Sequence, residues 1–128
     1  MIDVRKLAPS FVDARGAILK VLDDGTNLRS VLIITAKAGS IRANHYHKKD
    51  SHYVYMLEGE MEYTEKAMAE PSAKLESVVL VPGDLVFTAP QRGHAMRFLR
   101  DSTFLALATE SRGQDAYEAD TVRIKLIE

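Results

Sequence analysis

The stretch Gly39-Ser40-Ile41-Arg42-Ala43-Asn44-His45-Tyr46-His47-Lys48-Lys49-Asp50-Ser51-His52, continuing to Gly59, decides how the chain is read. In an extended strand alternate side chains share a face, so His45 and His47 point one way and Tyr46 the other. Two imidazoles are thereby aimed at one point. Lys48 to Ser51 are polar and suit a solvated turn. A second strand then puts His52, Val54 and Met56 on one face and Tyr53, Tyr55 and Leu57 on the other. A hairpin would return His52 toward His45 and His47. Arg42 and Asn44 alternate away from the imidazoles, which points to solvated or structural roles.

Further along, His94 follows the turn Pro90-Gln91-Arg92-Gly93 and opens a run in which Met96 and Phe98 share its face. All 4 histidines of the chain then belong to one constellation. There is no cysteine, so a metal site would have to use imidazole, carboxylate, amide or water. Leaving a buried imidazole without a partner costs roughly 1–3 kcal/mol, and a marginally stable domain does not absorb that four times over. The expectation is a divalent ion, Zn, Fe, Ni or Mn, on His45, His47, His52 and His94. Met56, Met96 and Phe98 share faces with these residues and either line a substrate pocket or fill the barrel.

Outside this region short β-rich runs dominate: Ile18 to Leu22, Ser30 to Ala36, His52 to Glu58, Met61 to Thr64, Val78 to Val81, Leu85 to Thr88, Ala95 to Leu99, Phe104 to Ala108 and Val122 to Ile127. Turn signals separate them, among them Asp23-Asp24-Gly25, Glu58-Gly59 and Pro82-Gly83-Asp84. Many short strands without long helical periodicity predict an all-β antiparallel sandwich or barrel. Lys66 to Glu76, around Pro71, fits neither a strand nor a long helix and is expected as an excursion. No repeat, low-complexity tract or linker breaks the chain, so residues 1–128 are expected to form one domain with a barrel core over about 30–107.

The 128 residues carry 17 basic and 18 acidic side chains for a formal charge of −1, with no basic stripe to neutralise a phosphate backbone. Nucleic acid is not an expected partner. No apolar run approaches the roughly 20 residues of a membrane span, and the charged start Asp3-Val4-Arg5-Lys6 does not suit a signal peptide. A cytoplasmic location follows as an expectation. Tyr53 and Tyr55, on the face opposite His52, suit packing against a sheet or a second subunit, and a homodimer is expected.

The chain resembles the cupin superfamily, whose first motif runs Gly, five residues, His-x-His, three or four residues, Glu, six residues, Gly. Gly39, His45, His47 and Gly59 stand at matching offsets, with His52 in the Glu position. The second motif is met by Gly83 and His94, with Ala89 in its Pro slot, Pro90 one step late and Phe98 in place of Asn. The resemblance covers about Ser30 to Leu107 and implies a double-stranded β-helix, the cupin jelly roll, with a metal inside. An imidazole in place of the carboxylate leaves the site one charge more positive, which favours anionic ligands.

Two shorter stretches resemble sugar-pathway cupins. Arg42-Ala43-Asn44-His45-Tyr46-His47-Lys48 is similar to a segment of cupins in capsular polysaccharide and nucleotide-sugar pathways. Phe11-Val12-Asp13-Ala14-Arg15-Gly16-Ala17-Ile18 is similar to the opening of sugar-nucleotide epimerases and isomerases of cupin fold. Rhamnose-type epimerases of that fold work through a His base without metal, whereas the histidine cluster here argues for one. The resulting expectation is a metal-dependent isomerase or epimerase binding a small-molecule sugar or nucleotide-sugar intermediate, with Glu58 as the candidate proton carrier. A non-haem metal dioxygenase and a non-catalytic binding or sensing module are the alternatives.

Overall fold

A computed structural model describes residues 1–128. The chain runs β1 (Asp3–Lys6), β2 (Phe11–Asp13), β3 (Gly16–Ile18), β4 (Ser30–Ala36), β5 (Ile41–His47), β6 (His52–Glu58), β7 (Met61–Ala67), β8 (Glu76–Leu80), β9 (Asp84–Thr88), β10 (Arg92–Phe98), β11 (Ser102–Ala108), α1 (Gln114–Asp120) and β12 (Thr121–Arg123). Two five-stranded antiparallel sheets, ordered β1-β9-β6-β11-β4 and β12-β5-β10-β7-β8, pack face to face, and β2 and β3 form a separate hairpin. The all-β jelly roll expected from the alternating runs is present.

The β-branched and aromatic runs form strands because their side chains pack well on a pleated surface, and the alternation decides what each face meets. Val54, Met56, Val86 and Phe104 point inward from the first sheet, and Met61, Tyr63, Leu80, Met96 and Phe98 from the second. Phe98 and Phe104 stack across the gap with centroids 5.8 Å apart. Met56 and Phe98, candidates for a substrate pocket, are instead fully enclosed barrel filling at 0% and 1% exposure. They share a face with the histidines but lie deeper along their strands.

Both faces of β6 are buried from His52 to Met56, which simple alternation does not reveal. Tyr53, Tyr55, Leu85 and Leu107 form a second apolar layer on the outside of the first sheet, covered by Leu7, Leu19, Val21, Leu22 and Leu28. The Tyr53 hydroxyl donates to Asp24 at 2.9 Å, closing that layer. The tyrosine face that suggested a homodimer is therefore covered by the chain's own N-terminal segment. The expected strand Ile18 to Leu22 is corrected at the same place. Only Ile18 is in a strand, and Leu19, Val21 and Leu22 are apolar because they cover this layer without joining a ladder.

Other boundaries shift for local reasons. β7 continues past Thr64 to Ala67, because Glu65 to Ala67 pair with His94 to Arg92, and Glu76 opens β8. The excursion between strands thus shrinks to Met68 to Leu75. The C-terminal run Val122 to Ile127 pairs with β5 through Arg123, after which the Ile124 amide still donates to the Asn44 carbonyl. Beyond it the Asn44 side chain replaces the ladder, accepting from the Leu126 and Ile127 amides and donating to the Ile127 carbonyl. Helix α1 was not foreseen: it has seven residues, none of them buried, so no apolar periodicity marks it. No helix is long and apolar enough to cross a membrane.

Gly59, the last residue of the first motif, has a packing reason. Its φ is +92°, and a Cβ there would fall 2.1 Å from Ser102 Oγ and 2.6 Å from the Asp101 carbonyl oxygen. Only glycine fits between β6 and the approach to β11.

Candidate functional site

The residues before His45 break the simple strand alternation. Ala43 and Asn44 have φ of 67° and 56°, and the β5–β10 register passes from His45 opposite His94 to Ala43 opposite Ala95. This is a β-bulge of two consecutive left-handed non-glycine residues, a costly backbone of the kind found at functional sites. The Asn44 contacts to the C-terminal segment hold it in place. Its effect is to turn Arg42 round: Arg42 stands opposite Met96 and faces the cavity, not solvent alone. Its guanidinium donates to the Thr35 carbonyl and has no carboxylate partner.

The four histidines come together at one end of the barrel. Ring centroids lie 4.6 Å apart for His45 and His47, 4.8 Å for His45 and His94, 5.0 Å for His52 and His94, and 5.7 Å for His47 and His52. All four are buried, with exposures between 2% and 8%. They line a cavity of about 130 Å³, together with Arg42, Arg112, Tyr117 and an apolar wall that includes Val54, Met96 and Phe104. Of the three proposed pocket residues only Met96 reaches it. Glu58 does not: it is exposed, six residues along β6 from His52, or roughly 20 Å at strand rise. It lines a separate groove with Lys37 and Asp101. Strand parity put Glu58 on the right face but at the wrong end.

The carboxylate at the cluster is Asp50, which the sequence placed in a solvated turn. It is 3% exposed. One oxygen accepts the Glu110 amide at 3.1 Å, and the other faces His52 Nδ1 at 3.0 Å and the Arg112 guanidinium at 3.1 Å. Burial works against its ionisation, but the hydrogen bond and charge of His52 and the charge of Arg112 hold its pKa below the usual range. Arg112 also lies over the Tyr117 ring at 5.1 Å. Asp50, Arg112 and Tyr117 are the site residues that sequence reasoning missed. Arg112 and Tyr117 come from the C-terminal segment, outside the motifs.

The hydrogen bonds fix which ring nitrogen faces inward. Thr121 Oγ1 donates to the Tyr117 carbonyl at 2.5 Å, so it must accept at 3.3 Å from His47 Nδ1. His94 Nδ1 donates to the Arg92 carbonyl at 3.0 Å, and ionised Asp50 accepts from His52 Nδ1. His47 and His94 thus each present an Nε2 lone pair inward, and His52 turns its Nε2 away from Asp50. Burial pushes the His45 imidazole down to about 3 and His47 down to about 4, aided by neighbouring His and Arg charges, while Asp50 and Asp120 pull His47 the other way. Burial also takes His94 well below its ordinary value. These three are neutral at pH 7.

A pH dependence of stability follows. Because the folded pKa values lie below the ordinary 6.5, the unfolded chain binds protons first and stability is lost as pH falls below 6.5. At pH 5, still above both folded values, His45 and His47 each cost about 2 kcal/mol relative to neutral pH. Urea unfolding of chelator-treated protein at pH 7 and pH 5 measures this, and an unchanged midpoint would contradict the desolvation of these rings.

No protein-family model and no curated sequence matches the chain. Solved structures do. It superposes on the rmlC epimerase of Mycobacterium tuberculosis with a TM-score of 0.81 at 18% identity, over 96% of this chain and 68% of that one. The sugar 3,4-ketoisomerase QdtA of Thermoanaerobacterium thermosaccharolyticum, solved in complex with TDP, gives 0.77 at 21% identity over 97% and 88%. The WlaRB TDP-quinovose 3,4-ketoisomerase of Campylobacter jejuni gives 0.76 at 16% over 92% and 95%.

The fold is that of the cupin jelly rolls.

In this barrel the donor set fits a divalent cation. Ligand atoms of His45, His47 and His94 lie within 4.8 Å of one another, as do those of His47, Asp50 and His52. Imidazoles about 2.1 Å from one ion hold their ring centroids roughly 5 Å apart, close to the spacings above. His47 Nε2 is buried and has no hydrogen-bond partner. Neutral rings with Nδ1 tied outward and Nε2 free are the state in which imidazole ligates a metal.

Proposed function

We propose that the chain is an isomerase or epimerase of a sugar or nucleotide-sugar intermediate, with a divalent ion on His45, His47 and His94 and with His52 as the proton carrier. The observation that carries this is the buried Asp50–His52 pair facing a set of three neutral imidazoles in one cavity. The similarity in fold to sugar-nucleotide epimerases and ketoisomerases supports the substrate class. His52 is assigned apart from the other three because its Nδ1 is held by Asp50 and their ligand atoms meet without it.

In this mechanism His52 Nε2 removes a proton from a carbon next to a carbonyl; in a ketoisomerisation it returns the proton to the neighbouring carbon, whereas an epimerisation needs a second group to donate on the opposite face, for which the Tyr117 hydroxyl lines the same cavity. Asp50 keeps the proton of the neutral ring on Nδ1 and stabilises the imidazolium that forms. The ion, when bound, supplies Lewis-acid stabilisation of the developing oxyanion. A cavity of about 130 Å³ takes the reacting ring but not a whole nucleotide sugar, since pockets enclosing drug-sized ligands run to roughly 300–1,000 Å³. The nucleotide part therefore lies outside the mouth. No carboxylate lines the cavity, whereas Arg42 and Arg112 do, so anionic substrates are favoured.

Incubation with a panel of 4-keto nucleotide sugars in D₂O is expected to put deuterium at a carbon beside the carbonyl. Verified removal of the metal should slow this by about 100-fold or more. No exchange on any keto sugar would remove the function, and unchanged exchange in metal-free protein would remove the ion and leave the Asp50–His52 pair.

A further inference from the structure

Below the histidine cluster, outside the cavity wall, a buried polar chain crosses from one sheet to the other. Glu65 is 2% exposed and stands opposite His94 in the β7–β10 ladder. One of its oxygens accepts from Arg92 Nε, and the other accepts from the Tyr63 hydroxyl at 2.8 Å. With that proton committed to Glu65, the Tyr63 oxygen accepts from the Thr88 hydroxyl at 2.5 Å. Thr88 lies in the other sheet, opposite His52 in the β6–β9 ladder. The chain is thus anchored beside His94 at one end and beside His52 at the other.

Stability alone does not account for these groups. A buried ion pair is often no better than apolar packing of the same volume, so its presence is weak evidence of a stabilising role. The geometry supplies a different role. The Arg92 carbonyl is the acceptor that holds the proton of His94 on Nδ1 and leaves Nε2 free toward the cavity. Two features keep that carbonyl in place: the Arg92 side chain is clamped by Glu65, and Gly93 is closely packed. A Cβ on Gly93 would meet Met68 Sδ at 2.8 Å and Ile124 Cδ1 at 2.9 Å.

We propose that Glu65 is a positioning residue for His94: by clamping Arg92 it fixes the carbonyl that selects the His94 tautomer, and through Tyr63 and Thr88 it sets the spacing of His94 from His52. Its consequence for metal affinity rests on the ion proposed above, whereas its consequence for the tautomer does not. Neither Glu65 nor Tyr63 lines the cavity.

Nitrogen-15 spectra of the histidine rings in the full chain, freed of metal by chelation, test the tautomer directly. The wild type is expected to show His94 as a single form protonated at Nδ1. Glu65→Gln, which keeps the shape but removes the charge, and Arg92→Lys, which keeps the carbonyl but removes the Nε donor, should both give a mixture of forms. Arg92 is partly exposed, so its lysine variant reads the outcome even if the Glu65 variant does not fold. After reloading, the metal dissociation constant in both variants should rise about 10–100-fold. A purely structural role would lower the melting temperature and leave the His94 spectrum as in the wild type, which would overturn the proposal, as would a mixed His94 tautomer in the wild type. A wild type that binds no ion removes the proposed metal, while the His94 spectra still decide the role of Glu65.

Discussion

Replacing His47 with alanine is expected to abolish tight divalent-ion binding, weakening it by about 10³-fold or more, and to lower isomerase activity in parallel. His47 belongs to both sets of ligand atoms, and its Nε2 is the buried side-chain atom for which the protein provides no partner. Structural zinc in small sites is worth roughly 10–16 kcal/mol over all its ligands, so deleting one of three imidazoles removes several kcal/mol of binding. The same unpartnered nitrogen predicts an asymmetry in stability. In metal-free protein the unpaired nitrogen already costs about 1–3 kcal/mol, so His47→Leu should leave the metal-free fold about as stable as before while removing the extra stability that added metal confers. Calorimetric titration with zinc and melting curves with and without metal give both quantities. Undiminished zinc affinity in the alanine variant would remove His47 from the site.

At Asp50 two substitutions should separate folding from chemistry. Asp50→Ala strips a buried carboxylate from Arg112, His52 and the Glu110 amide and should destabilise the fold by about 3–5 kcal/mol, the usual cost of breaking a buried charge pair on one side. Asp50→Asn keeps the volume and one acceptor, and should cost less than half of that. Because the oxygen facing His52 also faces Arg112, the neutral amide removes the charge that stabilises the His52 imidazolium, whichever way it is turned. Activity should then fall by about 10²–10⁴-fold in a protein that still melts cooperatively. Full activity in Asp50→Asn would take His52 out of the proton-carrier role. Urea unfolding and deuterium exchange on the same samples separate the two effects.

The parts of the fold that were legible were those set by local alternation. Ser30 to Ala36 and His52 to Glu58 stand at the expected boundaries because their composition and flanking turns determine them. Leu19 to Leu22 were misread because an apolar run covering a sheet looks the same as a run within one. Asp50 was misread for a related reason: in Lys48-Lys49-Asp50 three charges in a row suggest solvent. Its donors, the Glu110 amide and Arg112, lie 60 and 62 residues away. Glu65 carried a readable signal, since Met61, Tyr63 and Glu65 alternate onto the inner face of β7, but its partner Arg92 comes from another hairpin.

The amino-acid sequence by itself determined the strand pattern, the absence of thiolate chemistry and the face of each strand that carries a histidine, because a strand's period of two is a local property of the backbone. Only the tertiary structure decided that Glu58 lies at the far end of the barrel, that Arg42 is turned inward by a bulge, and that Asp50, Arg112 and Tyr117 complete the site. Depth along a strand, a break in its period and the meeting of distant segments depend on how sheets register and close. No local spacing encodes that.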